Sequence, residues 1–223
     1  MAKLKSEGKC LYCDKVASKA GISKHLETHL KKMEVTPKEG RQYFHIRVEA
    51  DLMFLQLLIS GDATFKKLDS YLRKIWLECC GHMSQFGGWG NKIGMSKKVK
   101  DYFYQGFKTD YQYDFGSTTG LTIKVIEEHY LSEKQDIVLI SRNEPLEIYC
   151  HTCGKKPATQ ICTVHLGEGE SFFCEDCVKK HEKECEDAEY ALMPVVNSPR
   201  MGVCGYMGGS IDEKRDGVFE VSK

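Results

Sequence analysis

An α+β body carrying small Cys/His-rich modules is the fold class this sequence predicts, on three observations. "YFHIRVEA" (43–50) alternates apolar and polar residues with strand period, beside a second apolar run, "LMFLQLLIS". Between 62 and 81, Phe65, Leu68, Leu72, Ile75, Trp76 and Cys79 recur at helical spacing. Eight of the eleven cysteines fall within two Cys/His runs, 10–29 and 150–185, leaving Cys79, Cys80 and Cys204 outside them.

Taken in order, the chain opens with a short basic segment, residues 1–30, which reads as a separable module. Residues 31–41, "KKMEVTPKEGR", have the charge and Pro/Gly content of a linker. The body follows over 42–149. Its two strands lead to the helix, with Asp62 or Thr64 placed to cap its start and Gly81 to end it. The helix face that carries Phe65 is expected to cover the sheet. "YQYDFGSTTGLTIKVI" reads as a hairpin and "DIVLISR" as a further strand. Residues 150–185 hold the second Cys/His run, 186–209 read as a return to the body, and 210–223 as a polar tail.

Composition narrows the function. Lys+Arg and Asp+Glu number 32 each, so no global field draws the chain to nucleic acid or to an anionic membrane. No apolar run approaches the roughly 18 residues of a membrane span, and "MAKLKSEGKC" lacks a signal-like apolar stretch. A cytoplasmic location is expected, and in a reducing compartment paired cysteines point to metal rather than disulfides.

The first motif is Cys10-x2-Cys13-x11-His25-x3-His29. Thiolate and imidazole suit tetrahedral zinc, and two His four apart on a helix face the same way. Val16 and Ile22 are placed to supply a miniature core. The pattern resembles a C2H2-type zinc finger, one residue short in its spacer. That likeness raises nucleic-acid recognition, yet the reading positions hold Ser18, Gly21 and Lys24, with no Arg or Asn for a bidentate base contact.

The second series is Cys150-x2-Cys153-x8-Cys162-x2-His165-x8-Cys174-x2-Cys177-x3-His181-x3-Cys185. If "CVKKHEKEC" is helical, Cys177 and Cys185 stand about 12 Å apart along the axis and cannot share one ion. The expected pairing is therefore crossed: Cys150 and Cys153 with Cys174 and Cys177, Cys162 and His165 with His181 and Cys185. The sequential pairing, first four with last four, is the alternative. The crossed order resembles MYND and B-box modules. Three Zn2+ ions in all are expected, leaving a net charge of about −2 once the thiolates are bound.

The body resembles the plasmid pRiA4b ORF-3-like family, a prokaryotic family that includes mobile-element passenger-type proteins. "ATFKKLDSYLRKIWLECCGHMSQF", "YQYDFGSTTGLTIKV" and "NSPRMGVCGYMGG" carry the likeness, which spans about residues 42–209. It implies a mixed sheet with a packed helix, a His-x3-Phe element at His82 and Phe86, and a hairpin at Tyr113, Asp114, Phe115 and Gly116. Where the family commonly has an acidic residue, Trp and His after the hairpin, this chain has Ser117, Thr118, Thr119, Gly120 and Leu121.

These readings converge on a non-enzymatic, zinc-binding interaction or adaptor protein, with a protein partner, no membrane association and no assigned oligomeric state. Nucleic-acid binding is the alternative, since "KKVKDYFYQGFKTDYQYDF" mixes Lys with aromatic residues that can stack bases. An enzyme with a site near His82 and Asp114 is the second alternative, although no third group completes a catalytic set there. "FGGWGNKIG" misses the dinucleotide fingerprint and reads as a loop. Cys79 and Cys80 read as core and near-core thiols.

Overall fold

The computed structural model describes residues 4–88, 90–167 and 169–220, so Trp89 of the glycine loop and the last three residues of the predicted tail lie outside the described residues. The chain divides into two compact units: Ser6–Arg73 with His82–Asn143, and Lys74–Gly81 with Glu144 onward.

The first unit holds β1 (Glu7–Cys10), β2 (Val16–Ser18), α1 (Lys19–Met33), β3 (Arg41–Ala50), β4 (Met53–Ser60), α2 (Phe65–Leu72), β5 (Ser84–Phe86), β6 (Lys108–Tyr113), β7 (Thr119–Leu131) and β8 (Ile137–Asn143). Its strands form one sheet in the order β2-β1-β8-β4-β3-β7-β6-β5. Every neighbouring pair is antiparallel, which corrects the mixed sheet implied by resemblance. The reason lies in the connections. Tight turns join β3 to β4 and β6 to β7, and α2 does not lead into a strand parallel to β4, because β5 pairs with β6 at the far edge.

Both sheet faces are covered, so β4 is buried along its whole length and shows no alternation. On one face Tyr43, Phe54, Leu58, Leu131 and Ile140 pack with Ile22, Leu26 and Leu30 of α1. Aromatic rings cover the other face: Phe65 of α2 lies edge-on to Phe86 and Phe103, and Phe103 in turn to Phe44 of β3.

The N-terminal module is therefore not separable. Its strand β1 pairs with β8, Cys10 lying opposite Ser141, and the approach is close enough that a Cβ at Gly8 would meet Phe54 Cζ at 2.5 Å. A buried polar chain ties the same helix down. His45 Nε2 donates to Gln56 Oε1 (2.8 Å), Gln56 Nε2 donates to Ser23 Oγ (2.6 Å), and Ser23 Oγ donates to Lys19 O (3.0 Å). The predicted linker is docked too, since α1 runs to Met33 and Val35 N donates to Tyr130 O at 2.9 Å.

Thr64 caps α2, its hydroxyl accepting from Lys67 N at 3.3 Å. The predicted single helix stops at Leu72, and a π-helical turn follows over Arg73–Leu77. Ile75 and Trp76, read as continuing the helical face, are buried within that wider turn. Gly81 has a left-handed φ of +82°, beyond the helix end rather than at it.

The second unit is built from much shorter pieces: β9 (Gln160–Cys162), β10 (Phe172–Phe173), α3 (Glu175–Glu184), α4 (Ala188–Ala191) and β11 (Leu192–Pro194). The three strands form an antiparallel sheet in the order β10-β9-β11. The segment 186–209, read as a return to the body, is thus part of this unit: Leu192 pairs with Cys162, and Ser198 Oγ donates to Trp76 O at 2.6 Å. Among the described residues no helix is long and apolar enough to cross a membrane.

Two outcomes follow from the docked α1. Leu26→Ala removes a fully buried side chain and should cost about 2–5 kcal/mol, measured as a lower urea midpoint for the whole first unit; an unchanged midpoint with only the N-terminal module unfolded would show that module to be independent. For His45, burial pushes the ring pKa from 6.5 down to about 4, partly offset by the Gln56 hydrogen bond. The unfolded chain then takes up a proton that the folded ring refuses. This contribution to stability is full above pH 6.5 and is lost as pH falls towards 4. Imidazole NMR should show His45 neutral at pH 5; titration near 6.5 would contradict the burial argument.

Candidate metal centres

Tetrahedral zinc with bonds of about 2.0–2.3 Å sets its donors about 3.3–3.8 Å apart. Three groups of four predicted residues come together on that scale, the donor atoms of each lying within 4.8 Å of one another.

In the first group, β1 ends at Cys10 and Cys13 follows in the turn, with Asp14 at a left-handed φ of +59°. His25 and His29 face the same way from α1, one helical turn apart. Cys13 Sγ lies 3.1 Å from His25 Nε2 and 3.3 Å from His29 Nε2, and the two ring nitrogens are 3.2 Å apart. Burial pushes the Cys10 thiol up and the His25 imidazole down, the latter also through its neighbour His29. A bound cation reverses the shift at Cys10, by favouring thiolate, and acts in the same direction as the shift at His25, by favouring neutral imidazole.

The packing around this group departs from expectation at one position. Ile22 is fully buried, whereas Val16 is 49% exposed, so the sheet supplies the core that a free-standing finger would need from Val16. Two of the three reading positions are engaged with each other: Ser18 is the N-cap of α1, its hydroxyl accepting from Gly21 N at 3.3 Å.

The other eight donors divide between two groups by the crossed pairing, and the sequential alternative falls. Cys150, Cys153, Cys174 and Cys177 form one, with Cys153 and Cys174 sulfurs 3.9 Å apart. Cys150 and Cys153 sit on a tight turn closed by Gly154 N donating to Cys150 O at 2.8 Å. Cys174 and Cys177 sit at the start of α3, Cys174 as its N-cap. Backbone N–H groups of Lys155 and Lys156 hold the Cys153 thiol down to about 6, while the hydrogen bond with Cys174 and desolvation push Cys177 up to about 12. At Cys150 burial is outweighed by backbone N–H groups that hold it down as well, so the group pairs sulfurs favoured as thiolate with a Cys177 that a cation would ionise.

Cys162, His165, His181 and Cys185 form the last group. Cys162 Sγ is 3.1 Å from His165 Nδ1, and Phe173 stacks on His181 at a centroid distance of 4.1 Å. His181 Nε2 is buried without a hydrogen-bond partner, a cost that a metal bond removes. His151, also in this stretch, is no donor to either group: its Nδ1 accepts from Ser171 N at 3.2 Å.

Sequence reading missed a fourth convergence. The sulfurs of Cys79, Cys80 and Cys204 lie within 4.8 Å of one another. Cys79, read as a core thiol, is half-buried; Cys80, read as near-core, is exposed, and so is Cys204. The signal was divided: a vicinal pair at one place and a single cysteine 124 positions later.

His82 and Asp114, the suggested enzymatic pair, do meet, with His82 Nδ1 3.5 Å from Asp114 Oδ1. Asp114 is buried and left-handed (φ +64°), and its carboxylate accepts from Gly116 N at 2.9 Å, which shapes the β6–β7 turn. A cavity of about 630 Å³ in the same unit is lined by other residues, among them Gly87, Asn91, Tyr102, Phe107 and Asp110.

The fold and its donor groups define an α+β protein whose Cys/His clusters are placed to hold metal ions. No protein-family model and no curated protein matches the chain. Among solved structures, a protein of unknown function from Methanosarcina mazei Go1 aligns at 15% identity and a TM-score of 0.38, covering 46% of this chain and 68% of that one.

The crossed pairing makes Cys153→Ser and Cys177→Ser equivalent. With Co2+ as a spectroscopic substitute, each should abolish the four-thiolate charge-transfer signature and leave the signature of two Cys and two His intact. If Cys177→Ser instead behaved like His181→Ala, the groups would be assembled otherwise.

Proposed function

We propose that this chain is a non-enzymatic interaction or adaptor protein whose N-terminal module and C-terminal unit are each held in shape by zinc. The observation that carries the reading is that each predicted group offers four protein donors. Four donors fill a tetrahedral ion and leave no open position for water or substrate, which is the signature of a structural rather than a catalytic site. Thiolate and imidazole donors favour zinc over hard cations such as Mg2+. On this reading three ions are bound: one by Cys10, Cys13, His25 and His29, one by the four-Cys group, and one by Cys162, His165, His181 and Cys185.

Apolar side chains stand out in solvent on the second unit, Val164 (47%), Leu166 (49%) and Tyr190 (81%) among them. They suit a protein partner better than a nucleic acid, which a chain of balanced charge attracts weakly. We propose further that the body is a member of the pRiA4b ORF-3-like family and that the protein works in the cytoplasm.

Elemental mass spectrometry on untagged, reduced protein tests the metal assignment. Cys10→Ser, Cys153→Ser and His181→Ala should each remove one zinc equivalent and leave the others. Chelation should then abolish cross-linking to partner proteins together with the structure of the second unit. A stripped chain that kept both its fold and its partners would refute the structural role, and turnover that required an exchangeable zinc-bound water would refute the non-enzymatic one.

A further inference from the structure

We propose that Cys79, Cys80 and Cys204 form a further binding site for a thiophilic metal ion, zinc foremost, distinct from the three Cys/His groups above. Cys80 Sγ lies 3.8 Å from Cys79 Sγ and 3.7 Å from Cys204 Sγ. These separations match the edges of about 3.8 Å that a tetrahedron of zinc–sulfur bonds requires. They are far longer than the S–S bond of about 2.0 Å in a disulfide.

A positive charge is fixed beside the cluster. Arg200, fully buried, places Nη2 3.6 Å from Cys79 Sγ. Three thiolates this close repel one another, and a divalent cation is the counter-charge that makes their convergence favourable.

The backbone is shaped to bring the sulfurs together. Cys79 and Cys80 follow the π-helical turn, a wider turn that recurs at functional sites. Ser198 Oγ donates to Trp76 O at 2.6 Å and Ser210 N donates to Lys74 O at 2.7 Å, which fixes that turn against the strand-free segment carrying Cys204. Cys204 itself has φ +52°, a left-handed conformation that is unfavourable for a non-glycine residue and needs a compensating interaction. Three thiolates leave one tetrahedral position. The chain carries an imidazole two residues beyond Cys80, at His82.

Binding is a ligation with no redox step: three thiols release their protons to solvent as the three sulfur–metal bonds form. The full chain, purified under TCEP and reconstituted with Zn2+, supplies the test. Elemental analysis should give one zinc equivalent more for the parent chain than for Cys204→Ser or Cys80→Ser, with all other equivalents and the circular dichroism spectrum unchanged. Alkylation mapping of the parent chain needs no variant. Cys80 and Cys204 are exposed, so iodoacetamide should label them slowly in the zinc-loaded protein and at least tenfold faster after a chelator is added.

Equal metal content in parent and variants, or labelling that is fast with and without zinc, overturns the proposal. So does a parent mass lower by about 2 Da that is restored by reduction, which would assign the sulfurs to a disulfide. None of these results touches the three Cys/His groups, whose equivalents are counted separately through Cys10, Cys153 and His181.

Discussion

The rise of an α-helix, about 1.5 Å per residue, is the constraint on which the second unit depends. Helix α3 carries Cys174 and Cys177 at its start and His181 and Cys185 at its end, too far apart to reach one ion. Each end must therefore find its partner donors elsewhere in the chain. Cys150 and Cys153 meet one end, Cys162 and His165 the other, so the chain before α3 has to pass from one group to the next and back. That path lays β9 between β10 and β11.

Strands of two or three residues cannot hold such a path by hydrogen bonding alone. The apolar clusters beneath are also small: Cys162, Phe173, Val178 and Ala191 in one, Ala158, Ile161 and Val195 in the other. In the first of these the cysteine is itself part of the core. The same atoms are thus asked to serve as packing and as ligands, an arrangement in which fold and metal affinity form one equilibrium. The first unit differs in scale. Its sheet has eight strands with both faces covered, so Cys10, which is likewise part of the core there, is one member of a much larger apolar cluster.

This difference explains what could be read from the sequence. Donor spacings were legible because a tetrahedral ion imposes local pairs, Cys-x2-Cys or His-x3-His, and the crossed pairing followed from helix geometry without any tertiary information. The strands 43–50 and 53–60, the hairpin after Tyr111 and the cap at Thr64 were legible for the same reason: period, turn chemistry and capping are local. The docking of the N-terminal module was not, because β1 is four residues long, holds one glycine and two lysine or glutamate side chains, and shows no apolar alternation. Its pairing with β8 rests on Gly8 fitting beneath Phe54, a contact between positions far apart in sequence. The antiparallel course of the whole sheet and the place of 186–209 were hidden likewise, since both depend on which strand accepts which neighbour.

The three cysteines outside the pattern show where spacing arguments stop. A local pair announces itself because two donors come from one turn, and a site assembled from a vicinal pair and a distant single residue has no such period. What marks it is structural: a π-helical turn that ends just before Cys79, a left-handed Cys204, and a buried guanidinium directed at a sulfur. Each of these is a local departure from the conformations that side-chain propensity favours, and all three fall at the same sulfur cluster. A sequence holds to local rules where nothing else is demanded of it, so departures that coincide in space identify the residues under a further constraint.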